Sequence, residues 1–409
     1  MSPASGSSFR DKVTHPLAGL TVLQIVPDLR PGSAARSTIE IAAALSRVGA
    51  IALVASRGGR MVSELQAKGG VFIPFPADAK NPFGMVLNIR RLARLIEAET
   101  VDIVHARSRA SAWVAYGATR LTKTPFVTSF HGAYAGGNAL DARYNSVMAQ
   151  GDAIIADSLF AAGLIAKLYP TAEGKIRVIP RGVDCRIFAP KAVQPARVQV
   201  VRRAWSVAAD ESIVLLAASV AAGNEHKVLV EAARLLLARG LTGTRFILAG
   251  DEHRGRLGAE IDRAIAKAQL SDLVRRVGPC ADMPAALLAA AVVVAPLTRP
   301  EAFSGIAVES QAMGTPVIVA DQGASAEAVL APPQIDAALR TGWRVAMGDA
   351  TALAGALTAA LSLGATARDQ LSLRARAHAE CHFSLEQVGL ETLDAYRAAL
   401  GGDEGPSDG

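Results

Sequence analysis

Two carboxylates, Glu301 and Glu309, stand eight residues apart in the string Pro300-Glu301-Ala302-Phe303-Ser304-Gly305-Ile306-Ala307-Val308-Glu309-Ser310-Gln311-Ala312-Met313-Gly314-Thr315-Pro316-Val317. On one straight helix that spacing separates them by about 12 Å, at about 1.5 Å per residue, so they converge only if the chain turns between them. Phe303-Ser304-Gly305 is the small-residue turn that could do it, with Gly305 opening a helix and Gly314 closing it. The turn leaves Glu301 on the loop and Glu309 in the first turns of the helix. The amides of Gly305, Ile306 and Ala307, with Ser304 at the turn, then form an anion site with a carboxylate on either side. An anionic group flanked by hydroxyls fits such a site, and a nucleotide-sugar has that shape. The plainer reading is a Glu309 that complements the helix dipole and a solvated Glu301.

The elements that must hold these groups can be read outward from them. Residues 290–296 and 317–320 are β-branched apolar runs of the kind found in strands buried on both faces, and a helix is expected between them. In the first half, a strand at 20–26 runs into the loop 27–36, with Gly32, Ser33 and Arg36, before a helix at 38–48. Strands at 51–55, 71–74, 101–104, 126–130 and 153–156 follow, with an amphipathic helix at 82–97 carrying Arg90, Arg91 and Arg94. The second half repeats the pattern, with strands at 213–217 and 246–249 and helices at 228–239 and 385–400. This alternation implies parallel sheets, whose ligands bind at the carboxyl ends of the strands. Two strands end there in polar residues, at His105-Ala106-Arg107-Ser108-Arg109 and at His131-Gly132.

A chain of 409 residues, 51% hydrophobic and 20% charged, has material for two domains. The net charge is +6, and the excess lies in the first half: 21 Lys and Arg against 13 Asp and Glu in residues 1–185, then 22 against 24. A basic half can face an anionic membrane, an anionic substrate or nucleic acid. Few aromatics and no nucleic-acid module make nucleic acid the least suited. The apolar stretch at 285–297 is shorter than the roughly 20 residues a membrane span needs. Residues 1–17 lack the apolar core of a secretory signal, and three scattered cysteines (Cys185, Cys280, Cys381) make no disulfide framework. A reduced, cytoplasmic protein is expected. His378 and His382, one turn apart beside Cys381, read as ordinary helix residues in place of a metal pair.

The string from Glu301 to Pro316 resembles the donor-site signature of retaining GT-B glycosyltransferases of family 4, and the likeness extends to Gly323-Ala324-Ser325-Ala326-Glu327 and Thr341-Gly342-Trp343. It covers the chain from about residue 20 to 400. It implies an α/β fold with two Rossmann-like doubly wound domains facing an interdomain cleft. The acceptor-side domain is expected at 19–185 with a crossover helix at 385–400, the nucleotide-sugar domain at 190–384, and loose tails at 1–18 and 401–409. The family places a donor diphosphate on the amides of Gly305, Ile306 and Ala307, ribose hydroxyls on Glu309 and sugar hydroxyls on Glu301. The backbone of Gly278, Pro279 and Cys280 is the expected reader of the nucleotide base. Thr128-Ser129-Phe130-His131-Gly132 resembles the family segment whose His lies beside the transferred sugar, so His131 is the expected sugar contact, and Arg181, in the string Arg177 to Asp184 that resembles the family's domain-closing segment, is expected to face the cleft. No cofactor and no metal are implied, and no D-x-D occurs in the sequence. The expected donor is a UDP- or GDP-sugar. The expected acceptor is a lipid-linked or surface glycan, as in lipopolysaccharide and polysaccharide biosynthesis, with the enzyme peripheral on the inner face of the membrane.

The resemblance breaks at one place that matters. Where the family has G-R-x4-K-G, whose Arg and Lys neutralise the diphosphate, this chain has Ala218-Ser219 and Asn224-Glu225. A charge-assisted hydrogen bond is worth about 1.5–3 kcal/mol, so losing both cations is expensive. Lys227 is the nearest substitute in sequence, followed by Arg181 and Arg36. Ser33 and Ala35 also replace a Gly and the Glu of the family's G-G-x-E-R, while Arg36 keeps its place. Ser219 and Asn224 therefore leave open a second class of function, a catalytically weakened paralogue that acts as a binding or assembly partner. A sugar-nucleotide epimerase on the same fold fits the Glu301 to Glu309 string less well.

Overall fold

The computed structural model describes residues 15–30, 32–77, 82–130, 139–220, 225–252, 255–295 and 303–401. Seven strands make one parallel sheet: β1 (Thr21–Ile25), β2 (Ile51–Ser56), β3 (Val71–Pro74), β4 (Ile103–Ala106), β5 (Phe126–Phe130), β6 (Ala153–Ala156) and β7 (Ile176–Val178), in the order β3-β2-β1-β4-β5-β6-β7. Six make the second: β8 (Ser212–Ala217), β9 (Thr244–Ala249), β10 (Val274–Gly278), β11 (Val292–Ala295), β12 (Val317–Ala320) and β13 (Trp343–Val345), in the order β10-β9-β8-β11-β12-β13. The helices are α1 (Ser33–Arg47), α2 (Val62–Ala67), α3 (Pro82–Ala98), α4 (Arg109–Thr122), α5 (Ala139–Asn145), α6 (Leu159–Leu168), α7 (Pro195–Ala204) and α8 (Glu225–Ala238). They continue with α9 (Gly255–Lys267), α10 (Met283–Ala289), α11 (Gly305–Ala312), α12 (Gly323–Glu327), α13 (Ala350–Leu361), α14 (Ala365–Phe383) and α15 (Leu385–Ala399). Among the described residues no single helix is long and apolar enough to cross a membrane.

Sequence chemistry accounts for the punctuation. Ser108, Ser158, Asp282 and Asp349 cap α4, α6, α10 and α13 with their side-chain oxygens. Gly314, at φ 69°, takes the left-handed conformation that ends α11. The second sheet is apolar on both faces because both are covered. Val214, Leu216, Phe246, Leu248, Val292 and Val294 pack on one side with α8, α9 and α13 residues. Ile213, Leu215, Ile247, Val293, Val317 and Val319 pack on the other.

The chain divides into two compact units, one of Met1–Ser129, Arg143–Ile154 and Gly389–Gly409, the other of Phe130–Ala142 and Ile155–Val388. The first unit therefore takes most of α15 from the far end of the sequence. Its core contains a fully buried histidine. His105 Nδ1 lies 2.7 Å from the Tyr396 hydroxyl and Nε2 lies 2.7 Å from Ser129 Oγ, so both ring nitrogens are satisfied. Burial pushes the Tyr396 phenol well above its usual range, so it stays protonated and able to donate. Tyr396→Phe leaves one buried nitrogen without its partner. A loss of about 1–3 kcal/mol is expected, read as a lower thermal midpoint with unchanged nucleotide affinity.

Two helices start earlier than their sequence suggests. Ser33 and Arg36 lie in the first turn of α1 and not in a preceding loop, because nothing after Gly32 interrupts a run of helix-compatible residues. Likewise α8 begins at Glu225, an acid at the positive end of the helix, which puts Lys227 inside the first turn.

Candidate active site

In each sheet the strand order reverses once, between β1 and β4 in the first and between β8 and β11 in the second. In open parallel sheets such a reversal is the place, at the carboxyl ends of the strands, where ligands bind.

In the second unit, α11 follows β11, one strand of the pair at which the order reverses. Gly305 is exposed, and a Cβ built on it meets nothing within 4 Å among the described residues. Packing therefore gives no reason for a glycine there, whereas a ligand approaching the backbone does. Ser304 precedes the helix and its side chain makes no capping bond. The amide of Ala307 already donates to the Ser304 carbonyl at 3.2 Å, so Gly305 and Ile306 are the amides that open the helix. Ala307 and Val308 are buried, while Glu309, on the second turn, is half-buried.

Across the sheet the strand ends are tied together by backbone. The amide of Ala218 donates to Ala249, that of Val220 to Asp251 and that of Gly250 to Gly278. Gly278 sits at φ 70° just after a register shift in β10, turning the chain into exposed Pro279 and half-buried Cys280. Burial raises the Cys280 thiol, which remains protonated and is no nucleophile.

The candidate cations are spread out. Lys227 reaches Glu260 of α9 at 3.7 Å with about half of its side chain exposed, a pair worth little by itself. Arg181 lies 3.5 Å from the buried Asp157, whose carboxyl is pushed up by burial and by Glu327 and held down by Arg181. Arg36 is exposed on α1, and Gly32 is in extended backbone that any residue adopts. His131, Glu301 and Asn224 lie outside the described residues.

Three features carry no assignment from the sequence. In the first unit, Arg107 follows β4, is 3% exposed, and donates to Ser37 Oγ of α1 at 2.6 Å, spanning the switch point. Its one signal is position, a single residue past a buried strand. In the second unit, both oxygens of Glu327 accept backbone amides of α6, from Leu159 and Phe160 at 2.7 Å each. No local pattern announces a contact 168 residues away. The third is His226, in the first turn of α8, 2% exposed and bonded to the Ala218 carbonyl.

Comparison with known proteins agrees with this geometry. Residues 34–186 match the profile of Glycosyltransferase Family 4, and residues 211–362 match Glycosyl transferases group 1. A D-inositol 3-phosphate glycosyltransferase of Nocardia farcinica is 30% identical over 73% of this chain and 67% of its own length. A glycosyltransferase from Rickettsia africae superposes with a TM-score of 0.83 at 30% identity, covering 94% of this chain and all of that one. HepE of Anabaena, crystallised with UDP and glucose, shares the fold at a TM-score of 0.77 and 20% identity, over 93% of this chain and all of its own. Two parallel Rossmann-like sheets with these neighbours define a GT-B glycosyltransferase. The chain belongs to glycosyltransferase family 4.

Proposed function

We propose that the protein is a retaining, metal-independent transferase that takes a sugar from a UDP- or GDP-sugar and passes it to a lipid-linked or surface-glycan acceptor at the inner face of the cytoplasmic membrane. The observation that carries the donor half is α11, whose amino end opens on an exposed glycine at the switch point, with a carboxylate on its second turn. A diphosphate fits the Gly305 and Ile306 amides, and ribose hydroxyls fit Glu309. In this reading Glu301 and His131 hold the transferred sugar, and the chain turning at Gly278 reads the base through its backbone. The donor reading is tested by a thermal-shift panel of UDP, GDP, ADP and their glucose or mannose conjugates. A ligand at 100 times its dissociation constant stabilises by about 2.7 kcal/mol. No shift with any of them at millimolar concentration sinks it and leaves the binding-partner alternative.

The acceptor half rests on α3. Val86, Leu87, Arg90, Arg91 and Arg94 are all exposed, and at 100° per residue they share one face, two apolar side chains followed by three cations. That face suits an anionic lipid surface, at about 1 kcal/mol per cation. Arg90→Ala/Arg91→Ala/Arg94→Ala is expected to lower affinity for phosphatidylglycerol vesicles at low salt by up to about a hundredfold, with affinity for phosphatidylcholine vesicles unchanged. Equal sedimentation of both proteins with anionic vesicles removes the membrane from the reading. Offering inositol phosphate beside lipid-linked glycans then separates the acceptor class named for the Nocardia relative from the one proposed here.

A further inference from the structure

The missing diphosphate cations raise the question of what receives the charge. Lys227, nearest in sequence, is drawn towards Glu260 of α9. Its neighbour is placed differently. His226 is 2% exposed in the first turn of α8, the helix that leaves β8 at the switch point, and its ring is held by the Ala218 carbonyl at the strand's carboxyl end. Ala218 immediately precedes Ser219, the position at which the family carries its arginine. The other ring nitrogen, Nδ1, is buried and has no hydrogen-bond partner among the described residues. A buried imidazole nitrogen left unmatched is costly in the protein alone, and its cost is relieved when charge arrives.

We propose that His226 answers the donor diphosphate in this chain, taking one proton from solvent onto Nδ1 as the anion binds and so supplying a cation only in the complex. The inference rests on the nucleotide-sugar reading. Before binding, burial keeps the imidazole below its usual pKa and therefore neutral at pH 7. Glu225 on its own helix favours the charged form and Arg276 of β10 opposes it. Arg276 is occupied by Glu252 and Asp262, which blunts its opposition. α13, packed along α8, has no titratable residue in its span. An anion within about 4–6 Å shifts the balance to imidazolium, and His226 stands in the first turn of α8, where the helix dipole favours negative charge. A fixed cation binds nucleotide at every pH; a histidine makes binding proton-linked.

The test is calorimetry of the full-length protein with UDP-glucose and with GDP-mannose, whose diphosphates carry no group titrating near neutrality, in buffers of different ionisation enthalpy. With the probe that binds, uptake approaching one proton per ligand is expected. The dissociation constant should rise up to about tenfold from pH 6.5 to 7.5. His226→Gln, which keeps a donor for the Ala218 carbonyl but cannot take a proton, should abolish both the uptake and the pH dependence. Ser219→Arg, which restores a permanent cation without touching the buried ring, should bind more tightly and take up less proton, so the inference stays testable if His226→Gln does not fold. Binding without proton uptake, or uptake that survives both variants, overturns the inference and leaves the donor reading standing. Binding of neither these probes nor any nucleotide in the thermal-shift panel overturns the donor reading, and this inference with it.

Discussion

Replacing Glu309 by Gln is expected to weaken binding of the preferred nucleoside diphosphate by about ten- to a hundredfold. The carboxylate accepts hydroxyl hydrogen bonds as a charged group, and such bonds contribute about 1.5–3 kcal/mol, of which the amide keeps only part. The side chain is half-buried on the second turn of α11, close enough to the amino end to act with the Gly305 amide and exposed enough to meet a ligand. Glu301→Gln should behave differently, leaving nucleotide affinity intact and lowering turnover at saturating donor by more than tenfold, because it addresses the sugar and not the base-ribose half. Titration calorimetry with the diphosphate and single-turnover assays with the sugar nucleotide separate the two. If both variants keep parental affinity and turnover, Glu309 is a dipole complement and Glu301 a solvated acid.

The largest expected structural effect comes from one atom at Gly250. A Cβ there runs into the Ala218 carbonyl oxygen, and it also lies 2.5 Å from that carbonyl carbon and 3.0 Å from the Ser219 amide. Backbone cannot swing aside as a side chain can, so the ends of β8 and β9 must separate. Overpacking of this kind costs about 1–3 kcal/mol or more. Gly250→Ala should therefore lower the thermal midpoint by about 5 °C or more and weaken nucleotide binding, since the displaced segment holds Ala218 and Ser219. Gly163→Ala in α6 is the control: its Cβ meets nothing within 4 Å, and an added methyl in a helix interior is expected to stabilise slightly. Equal midpoints for the two variants contradict this account of the strand ends.

Much of the second unit's frame is legible in its amino acids. Buried parallel strands announce themselves as uninterrupted runs such as Val292 to Ala295 and Val317 to Ala320, because both faces are covered and no position tolerates a polar residue. The helix from Gly305 to Gly314 is legible for a different reason: glycine at each end marks where the backbone, and not the side chains, decides. What escapes is non-local. The first turns of α1 and α8 read as loop because Gly32 and Gly223 stand just before them, although the residues that follow are compatible with helix and form it. Glu327 reads as one more residue of a signature string, yet its carboxylate sits on the amino end of α6. His226 reads as a bystander to Lys227, since charge is visible in a sequence and burial is not.

The bond between His105 and Tyr396 joins residues 291 positions apart, and both belong to the first compact unit. A ribosome delivers the chain at roughly 5–20 residues per second, so the strand carrying His105 emerges some 15–60 s before its phenol partner. Through that interval the amino-terminal unit has its sheet but not its last helix, with a polar nitrogen in an unfinished core. Completion of the first unit thus waits until synthesis has passed Tyr396, and a nascent chain stalled short of residue 389 presents an incomplete amino-terminal half to whatever binds exposed cores in the cell.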